Sequence, residues 1–377
     1  VVELDQDGLD LSCRRRRDRN FHLHCFDESD LVAVADIAAG CDGQRAHAAD
    51  ARSTAAEPLA PWQPEAPLAL DALQSFLARP VRHFFNQRLK VYFGGEEADT
   101  LDDEPFALDG LERYQAIQGV LQAALAGDGG AASRAVVDAV QRLGAQGLLP
   151  TGGFGELWQE SIAREAGTLA AHWHAADGRW PRVDDKYELR HEADGLPLED
   201  WLSDLRRPDP AQAGIDYVRL ELIQGPLLTR PRGRRLDKLV AAWVAHLFAH
   251  AGGLRVQTRV IAMDAQPYFP ALDPAQARAV LDELLDALRH GMRAPLPLAR
   301  KTAFAWLQAE HDGRDAAAAA RQCYDRDDSG QRHAEVDEDA YLQRAWPTLQ
   351  AMLDAGFERW LPLYRALAQN VRWEDGT

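Results

Sequence analysis

Lysine, cysteine and long apolar runs are all in short supply in this chain. Four cysteines in 377 residues, Cys13, Cys25, Cys41 and Cys323, are too few for a disulfide framework. A reducing cytoplasm is the expected compartment. No apolar run reaches the roughly 18 residues of a membrane helix, so no such span and no membrane partner is expected. Residues 1–30 lack an apolar stretch flanked by small residues, so no secretory signal is expected. The chain opens without Met and reads as a piece of something longer. Positive charge is in deficit as well: 42 Lys+Arg against 59 Asp+Glu give a net charge of -17. That balance excludes a protein that coats DNA with a broad basic face. It leaves room for a local basic groove on an acidic body.

Apolar residues make up 46% of the chain, enough for a real core, and the length suits two or three domains. Residues 1–67 are poorly organised, with a basic run CRRRRDR (13–19), a short apolar run LVAVADIA (31–38) and an Ala- and Pro-rich linker. A helical subdomain is expected over 68–147. Leu70, Leu73, Phe76 and Leu77 give its first helix an apolar face. The stretch LARPVRHFFNQRLKVYF (77–93) continues that face through Val81, Phe84, Phe85 and Leu89, although Pro80 sits inside it. Arg79, Arg82, Arg88 and Lys90 form its basic edge. Asp109 is the expected N-cap of a helix over 108–125, and Gly147 the stop of another over 132–147.

The pattern changes after residue 148. A Gly-rich turn leads into a long helix reaching 176. Short runs at 187–192, 196–205, 216–224 and 226–231 then read as strands. Residues 234–253 read as a helix ended by Gly252 and Gly253, 254–263 as a strand, and 273–291 as a helix with Asp273 as N-cap and Pro274 at its first position. This order predicts an α/β core over 148–300, a mixed sheet flanked by helices. A helical extension over 301–377 follows, with Ala316–Ala320 and a long segment from Ala340 to Gln369 interrupted by Pro347 and Pro362.

Few motifs carry chemistry. Cys13, His22, His24, Cys25 and Cys41 match neither paired spacing of structural zinc sites, and a short strand with a buried Cys is expected. TGGFGE (151–156) lacks the Lys of a phosphate loop, and Glu156 would repel phosphate. A tight turn is expected there, with Gly153 and Gly155 permitting close backbone approach. YDRDDSG (324–330) has no glutamate at the offset of a calcium loop and reads as a polar turn. RPRGRRLDK (230–238) is the densest basic run after residue 20. At a helix start its arginines and free backbone N–H groups suit a phosphate, and a solvated face accounts for them equally well. No metal or cofactor is expected.

Five phrases together resemble one family: LDALQSFLARPVRHFFNQRLKVYF, DDEPFALDGLERYQ, LLPTGGFGELWQE, RPRGRRLDKLVAAWVAHL and LRHGMRAPLPL. They are similar, in order, to the C-terminal part of RecC, the gamma chain of exodeoxyribonuclease V (the RecBCD complex), from about Pro58 to about Leu363. The resemblance implies the C-terminal third of such a chain. It implies an α/β fold of degenerate PD-(D/E)xK type with added helices, and loss of catalysis. An active homologue would carry Asp in LEDWLSDL and an Asp/Glu-x-Lys triplet in the strand before helix 234–250. By register, Ser203 or Asp204 takes the first position, and Leu228, Thr229 and Arg230 take the second. Leu228 cannot bind a metal. Asp184-Asp185-Lys186 is a near miss, set too early in the order.

The implied role is a non-catalytic scaffold that guides unwound DNA strands in a bacterial helicase-nuclease of double-strand-break repair, with RecB- and RecD-like partners. Candidate DNA contacts are Arg82, Arg88 and Lys90, and separately Arg230, Arg232, Arg234 and Arg235. Trp346, Trp360 and Tyr364 are candidates for a partner interface, with intramolecular packing as the alternative. Two other readings stay open: an active Mg²⁺-dependent nuclease using Asp184, Lys186 and Asp204, and a structural adaptor that does not touch DNA.

Overall fold

The computed structural model describes residues 58–93, 108–127, 131–212, 214–229, 233–326 and 334–373. Helix α1 (Leu70–Ala78) ends at Arg79, whose φ of -150° and ψ of 76° leave the helical region, as the residue before a proline tends to do. Pro80 then opens α2 (Pro80–His83), where its missing N–H costs no bond. The chain loosens into a π-helical turn over Phe84–Arg88. The one helix expected over 77–93 is therefore broken into pieces. Its apolar face is still buried: Leu77, Val81, Phe84 and Phe85 are each at most 3% exposed.

Helices α3 (Gly110–Leu125), α4 (Ala132–Ala145) and α5 (Gly152–Arg179) pack side by side. Asp109 caps α3 in a capping box: its side chain accepts from the Glu112 N–H, and the Glu112 side chain accepts from the Asp109 N–H. Gly147, with φ of 70°, ends the run that forms α4. Ile117, Val120, Val140, Ile162 and Leu169 share a core with Val218, Leu220 and Ile261 farther along the chain. Gly155 is where the backbone folds back, since a Cβ there would overlap the Pro150 carbonyl oxygen. Gly153 faces open space, so the close approach expected of both glycines belongs to Gly155.

Strands β1 (Tyr187–Ala193) and β2 (Leu196–Leu202) form an antiparallel hairpin. Its turn residues Asp194 and Gly195 both have positive φ, as a two-residue hairpin loop requires. Next come β3 (Leu205–Arg206) and β4 (Tyr217–Leu222), then a separate ribbon of β5 (Leu228–Thr229) and β6 (Gly233–Arg234). Helix α6 (Val240–Ala251) crosses over to β7 (Val256–Ile261), and β8 (Tyr268–Phe269) closes a four-stranded sheet of order β3-β4-β7-β8. β4 and β7 run parallel, with Tyr217 opposite Val256 and Leu222 opposite Ile261. Two expectations are corrected here. The strand expected over 196–205 splits, because Asp204 turns through a φ of 58° and sends β2 and β3 into different sheets. Of the run expected over 226–231, Leu228 and Thr229 form a ribbon strand rather than a member of the main sheet, and residues 230–231 lie outside the described residues.

Alternation along β7 presents its two faces to different layers. Thr258 meets His246 of α6 at 3.0 Å, while Ile261 joins the α5 core and Arg259 lies 5.0 Å from the centre of the Trp180 ring. The sheet is sandwiched between α5 and α6. Helix α7 (Pro274–Gly291) follows, with Asp273 accepting from the N–H groups of Ala275 and Gln276. The remaining helices are α8 (Arg300–His311), α9 (Ala316–Tyr324), α10 (Ala340–Ala345), α11 (Leu349–Asp354) and α12 (Pro362–Asn370). Among the described residues no helix is long and apolar enough to cross a membrane.

Two outcomes follow from this packing. Gly155→Val should lower the unfolding free energy by about 1–3 kcal/mol through overlap with the Pro150 carbonyl, while Gly153→Ala should leave thermal melting unchanged or raise it. Equal melting of both variants would contradict the described turn. The second outcome concerns histidine. His246 and His250 lie ring to ring, 4.5 Å apart, and are fully buried. His246 Nε2 donates to the Pro270 carbonyl, so Nδ1 accepts from the Thr258 hydroxyl. Burial holds both below the ordinary histidine value of 6.5 and depresses His83 to about 4. Below pH 6.5 the unfolded chain takes up protons that the folded chain refuses. Stability should therefore be full above that pH and fall as pH drops, by about 1.4 kcal/mol per unit for His246 alone. Urea midpoints at pH 7.5 and 5.5 measure this, and equal midpoints would contradict neutral burial.

Candidate nucleic-acid interface

The basic edge of 77–93 is divided by its surroundings. Arg82 is held inward, 3.4 Å from Asp339 Oδ1 and 5.0 Å from the centre of the Tyr341 ring. Arg88 is half-buried and donates to the Ala60 carbonyl at 3.3 Å. Lys90 is exposed, in a left-handed backbone conformation with φ of 55°. One cation of the three is thus committed to a carboxylate.

Of the second set, Arg230 and Arg232 lie outside the described residues. Arg234 is exposed in β6, its guanidinium 4.9 Å from the centre of the Trp373 ring. Arg235 turns into its own helix start, where Nε and Nη2 each donate to an oxygen of Asp237 at 2.9 Å. Burial pushes the Asp237 carboxyl up, and the Arg235 guanidinium outweighs it, leaving the group below the ordinary carboxylate range. Burial also lowers Lys238, whose Nζ lies 3.4 Å from the Gln224 carbonyl oxygen. The dense basic run is therefore partly self-neutralised before α6 begins.

Two of the positions compared with a nuclease site are brought near each other. Arg182 and Arg206 form an antiparallel bridge and the Val183 N–H donates to the Leu205 carbonyl at 2.9 Å, so the segments carrying Asp184 and Asp204 lie side by side. Asp184, Asp185 and Lys186 are exposed ahead of β1. Asp204 accepts from the Ser203 hydroxyl at 3.4 Å in its left-handed turn. Leu228 is exposed in β5, and its N–H and that of Leu227 donate to the two oxygens of Asp264, at 3.0 and 2.8 Å. Among the described residues no three His, Cys, Asp or Glu side chains are grouped to hold a metal. Cys13, His22, His24, Cys25 and Cys41 lie outside them. Burial pushes the Cys323 thiol up to about 12. In the expected polar turn at 324–330, Asp325 accepts from the Leu349 N–H at 2.8 Å and so caps α11.

The three aromatic candidates pack within the chain. Tyr364 is 1% exposed and donates to the Leu77 carbonyl at 2.7 Å. Its place as a surface aromatic is corrected, because α12 lays that face against α1. Trp346 is half-buried and donates from Nε1 to the Leu296 carbonyl at 2.9 Å. Trp360 is half-buried, edge-on to His290 with Arg359 over its ring. Exposed apolar side chains gather elsewhere. Leu111, Tyr114, Leu148, Phe154 and Leu157 stand out from α3, α5 and the turn before α5. Leu148 and Phe154 border a groove of about 510 Å³ that Leu108, Ala116, Leu143 and Leu149 also line. Glu335 gave no sequence signal: it is buried and accepts from the N–H groups of Lys301 and Thr302 and the Thr302 hydroxyl, so it caps α8 from a distant segment.

Fold and site together define a mixed α/β protein with helical additions and with basic side chains gathered near helix starts. The family model of the RecC C-terminal domain matches residues 65–311, and the chain belongs to that family. The RecBCD enzyme subunit RecC of Escherichia coli (strain K12) is 32% identical over 299 residues, covering 79% of this chain and 23% of that protein. The subunit of the same name from Mycobacterium tuberculosis (strain ATCC 25618 / H37Rv) is 29% identical over 293 residues, covering 76% of this chain and 24% of that protein. The chain thus spans about a quarter of the length of these relatives, less than the third expected.

Replacing Arg235 by Ala should leave Asp237 buried without its partner and cost about 3–5 kcal/mol of stability. Lys90→Ala, at an exposed site, should change stability by less than about 0.5 kcal/mol. Chemical denaturation of both variants separates a structural arginine from a free one. An Arg235→Ala variant of wild-type stability would contradict the inward pairing.

Proposed function

We propose that this chain is a non-catalytic scaffold and strand-guiding region of a bacterial RecBCD-type helicase-nuclease that acts in double-strand-break repair and recombination. Family membership and the relatives, which are RecBCD enzyme subunits, support the assembly. The observation that carries the non-catalytic reading is that neither strand comparable with the metal-binding one holds an Asp/Glu-x-Lys triplet: β5 has Leu228 at the compared position, and β4 in the main sheet ends at Glu221-Leu222 and is followed by Ile223, with no Lys. The chain order is α5, β1, β2, β3, β4, β5, β6, α6, β7. Setting aside the two-residue strands β3, β5 and β6, it is compatible with the helix-strand-strand-strand-helix-strand sequence of a PD-(D/E)xK core, although β1 and β2 form a separate hairpin. We read it as a degenerate member of that fold. Arg88, Lys90 and Arg234 are the cations best placed to follow a strand, with Arg82 supporting them beside Asp339. The exposed apolar face of α3 and α5 is the surface we assign to a RecB- or RecD-like partner. It displaces Tyr364, and Trp346 and Trp360 serve packing first. The protein works in the cytoplasm, as the DNA of such an assembly requires.

Incubation of the purified chain with single- and double-stranded DNA and Mg²⁺ or Mn²⁺ should yield no cleavage. Cleavage that disappears in Asp184→Ala or Asp204→Ala would install the nuclease reading instead. In the assembled complex, changing Arg82, Arg88 and Lys90 together to Ala should weaken DNA binding with little sequence preference, because phosphate contacts carry no base information. If DNA affinity and unwinding stay unchanged while Phe154→Asp with Leu157→Asp releases a partner subunit, the chain is an adaptor and the strand-guiding assignment falls.

A further inference from the structure

We propose that the small pocket between the α1–α2 junction, the start of α8 and the segment 335–342 binds a single phosphoryl group through Arg79 and Arg300. Four cations line it, Arg79, Arg82, Arg300 and Lys301, against three carboxylates, Glu335, Glu338 and Asp339. In a chain of net charge -17 this is a local reversal of sign.

Each carboxylate is already committed. Glu335 takes the first N–H groups of α8 and the Thr302 hydroxyl. Glu338 pairs with the Lys301 ammonium. Asp339 pairs with Arg82 and accepts from the Tyr341 N–H. Arg79 and Arg300 have no carboxylate within ion-pair distance among the described residues. The Nε–H groups of Arg82 and Arg300 are covered and have no protein acceptor, as is also true of Arg88 and Arg206 away from the pocket, so the outer guanidinium N–H groups are the ones left to meet a ligand. Burial, with the neighbouring Arg82 and Arg300 guanidiniums, pushes Arg79 below its ordinary value, and the nearby Asp339 and Glu338 carboxylates offset this only in part.

Size selects the ligand. The cavity holds about 120 Å³, well under the roughly 300 Å³ at which small-molecule sites begin. A tetrahedral oxyanion fits that space and a nucleoside does not. Guanidinium forks match the oxygen spacing of phosphate and remain charged at any working pH. The shared chemistry is one phosphate, supplied either by a strand backbone or by a free anion. The pocket shares Arg82 with the proposed strand path, and the inference rests on Arg79 and Arg300, which that path does not use.

Titration of the full chain with inorganic phosphate, followed by phosphorus NMR or calorimetry, should saturate. Arg79→Gln and Arg300→Gln should each weaken binding by about tenfold, the loss of one charge-assisted contact. An oligo-dT strand that competes with phosphate identifies a backbone phosphate as the source. Phosphate binding that the strand does not disturb identifies a free anion, and both outcomes uphold the pocket. No saturable phosphate binding, or binding unchanged in a folded Arg79→Gln protein, overturns it. Arg79 sits exposed at the pocket mouth, so that variant decides the question even if Arg300→Gln fails to fold.

Discussion

Helix α6 must be covered on every side, and the rest of the molecule is arranged to do it. Trp243, Val244, Leu247 and Phe248 are at most 2% exposed, and burial of side chains of this kind stabilises by about 1.5–3 kcal/mol each. Four layers share the work: α1, α7, the hairpin strand β1, and the sheet through β7. Gln74 of α1 donates to the Ala241 carbonyl at 3.0 Å, and Thr258 of β7 satisfies His246. A helix this apolar cannot carry an exposed function along its length. Function is left to its ends and to the elements that wrap it.

Charge follows from that arrangement. The start of α6 brings Arg235, Asp237 and Lys238 under cover, so the densest basic run spends much of its charge on its own carboxylate. At the start of α8, Glu335 and Glu338 meet Lys301 and the first turn of the helix. Three cations with no carboxylate within ion-pair distance among the described residues sit at breaks of the chain: Arg79 before Pro80, Lys90 after the π-helical turn, and Arg300 at a helix start. An acidic protein of the RecC family thereby keeps a few local positive sites without a broad basic face. That distribution suits phosphate contacts that position a strand without reading its sequence.

Local chemistry was legible in the sequence where it acts over a few residues. The capping box of Asp109 and Glu112, the Asp273-Pro274 start of α7 and the stop at Gly147 appear where spacing predicts them. The apolar face of 77–93 also holds, although Pro80 breaks the helix there. Features set by tertiary context were not legible. LEDWLSDL reads as one alternating strand, and the left-handed turn at Asp204 divides it between two sheets. Tyr364 reads as a surface aromatic until α12 docks on α1. Glu335 lies 33 residues from the Thr302 groups it satisfies, so no short window holds both partners. The inward turn of Arg235 depends on the burial of Asp237, which charge counting does not register.

If strand contact is local, its salt dependence must be shallow. Each phosphate neutralised on a single strand contributes about -0.7 to the slope of log affinity against log salt. Arg88, Lys90 and Arg234 with the supporting Arg82, plus one further phosphate if a strand enters the Arg79–Arg300 pocket, then set a slope between about -2 and -4. Oligo-dT affinity measured across a salt series gives this slope directly. A value in that range is the expected result, and a slope steeper than about -6 would require a broad basic face and contradict the account.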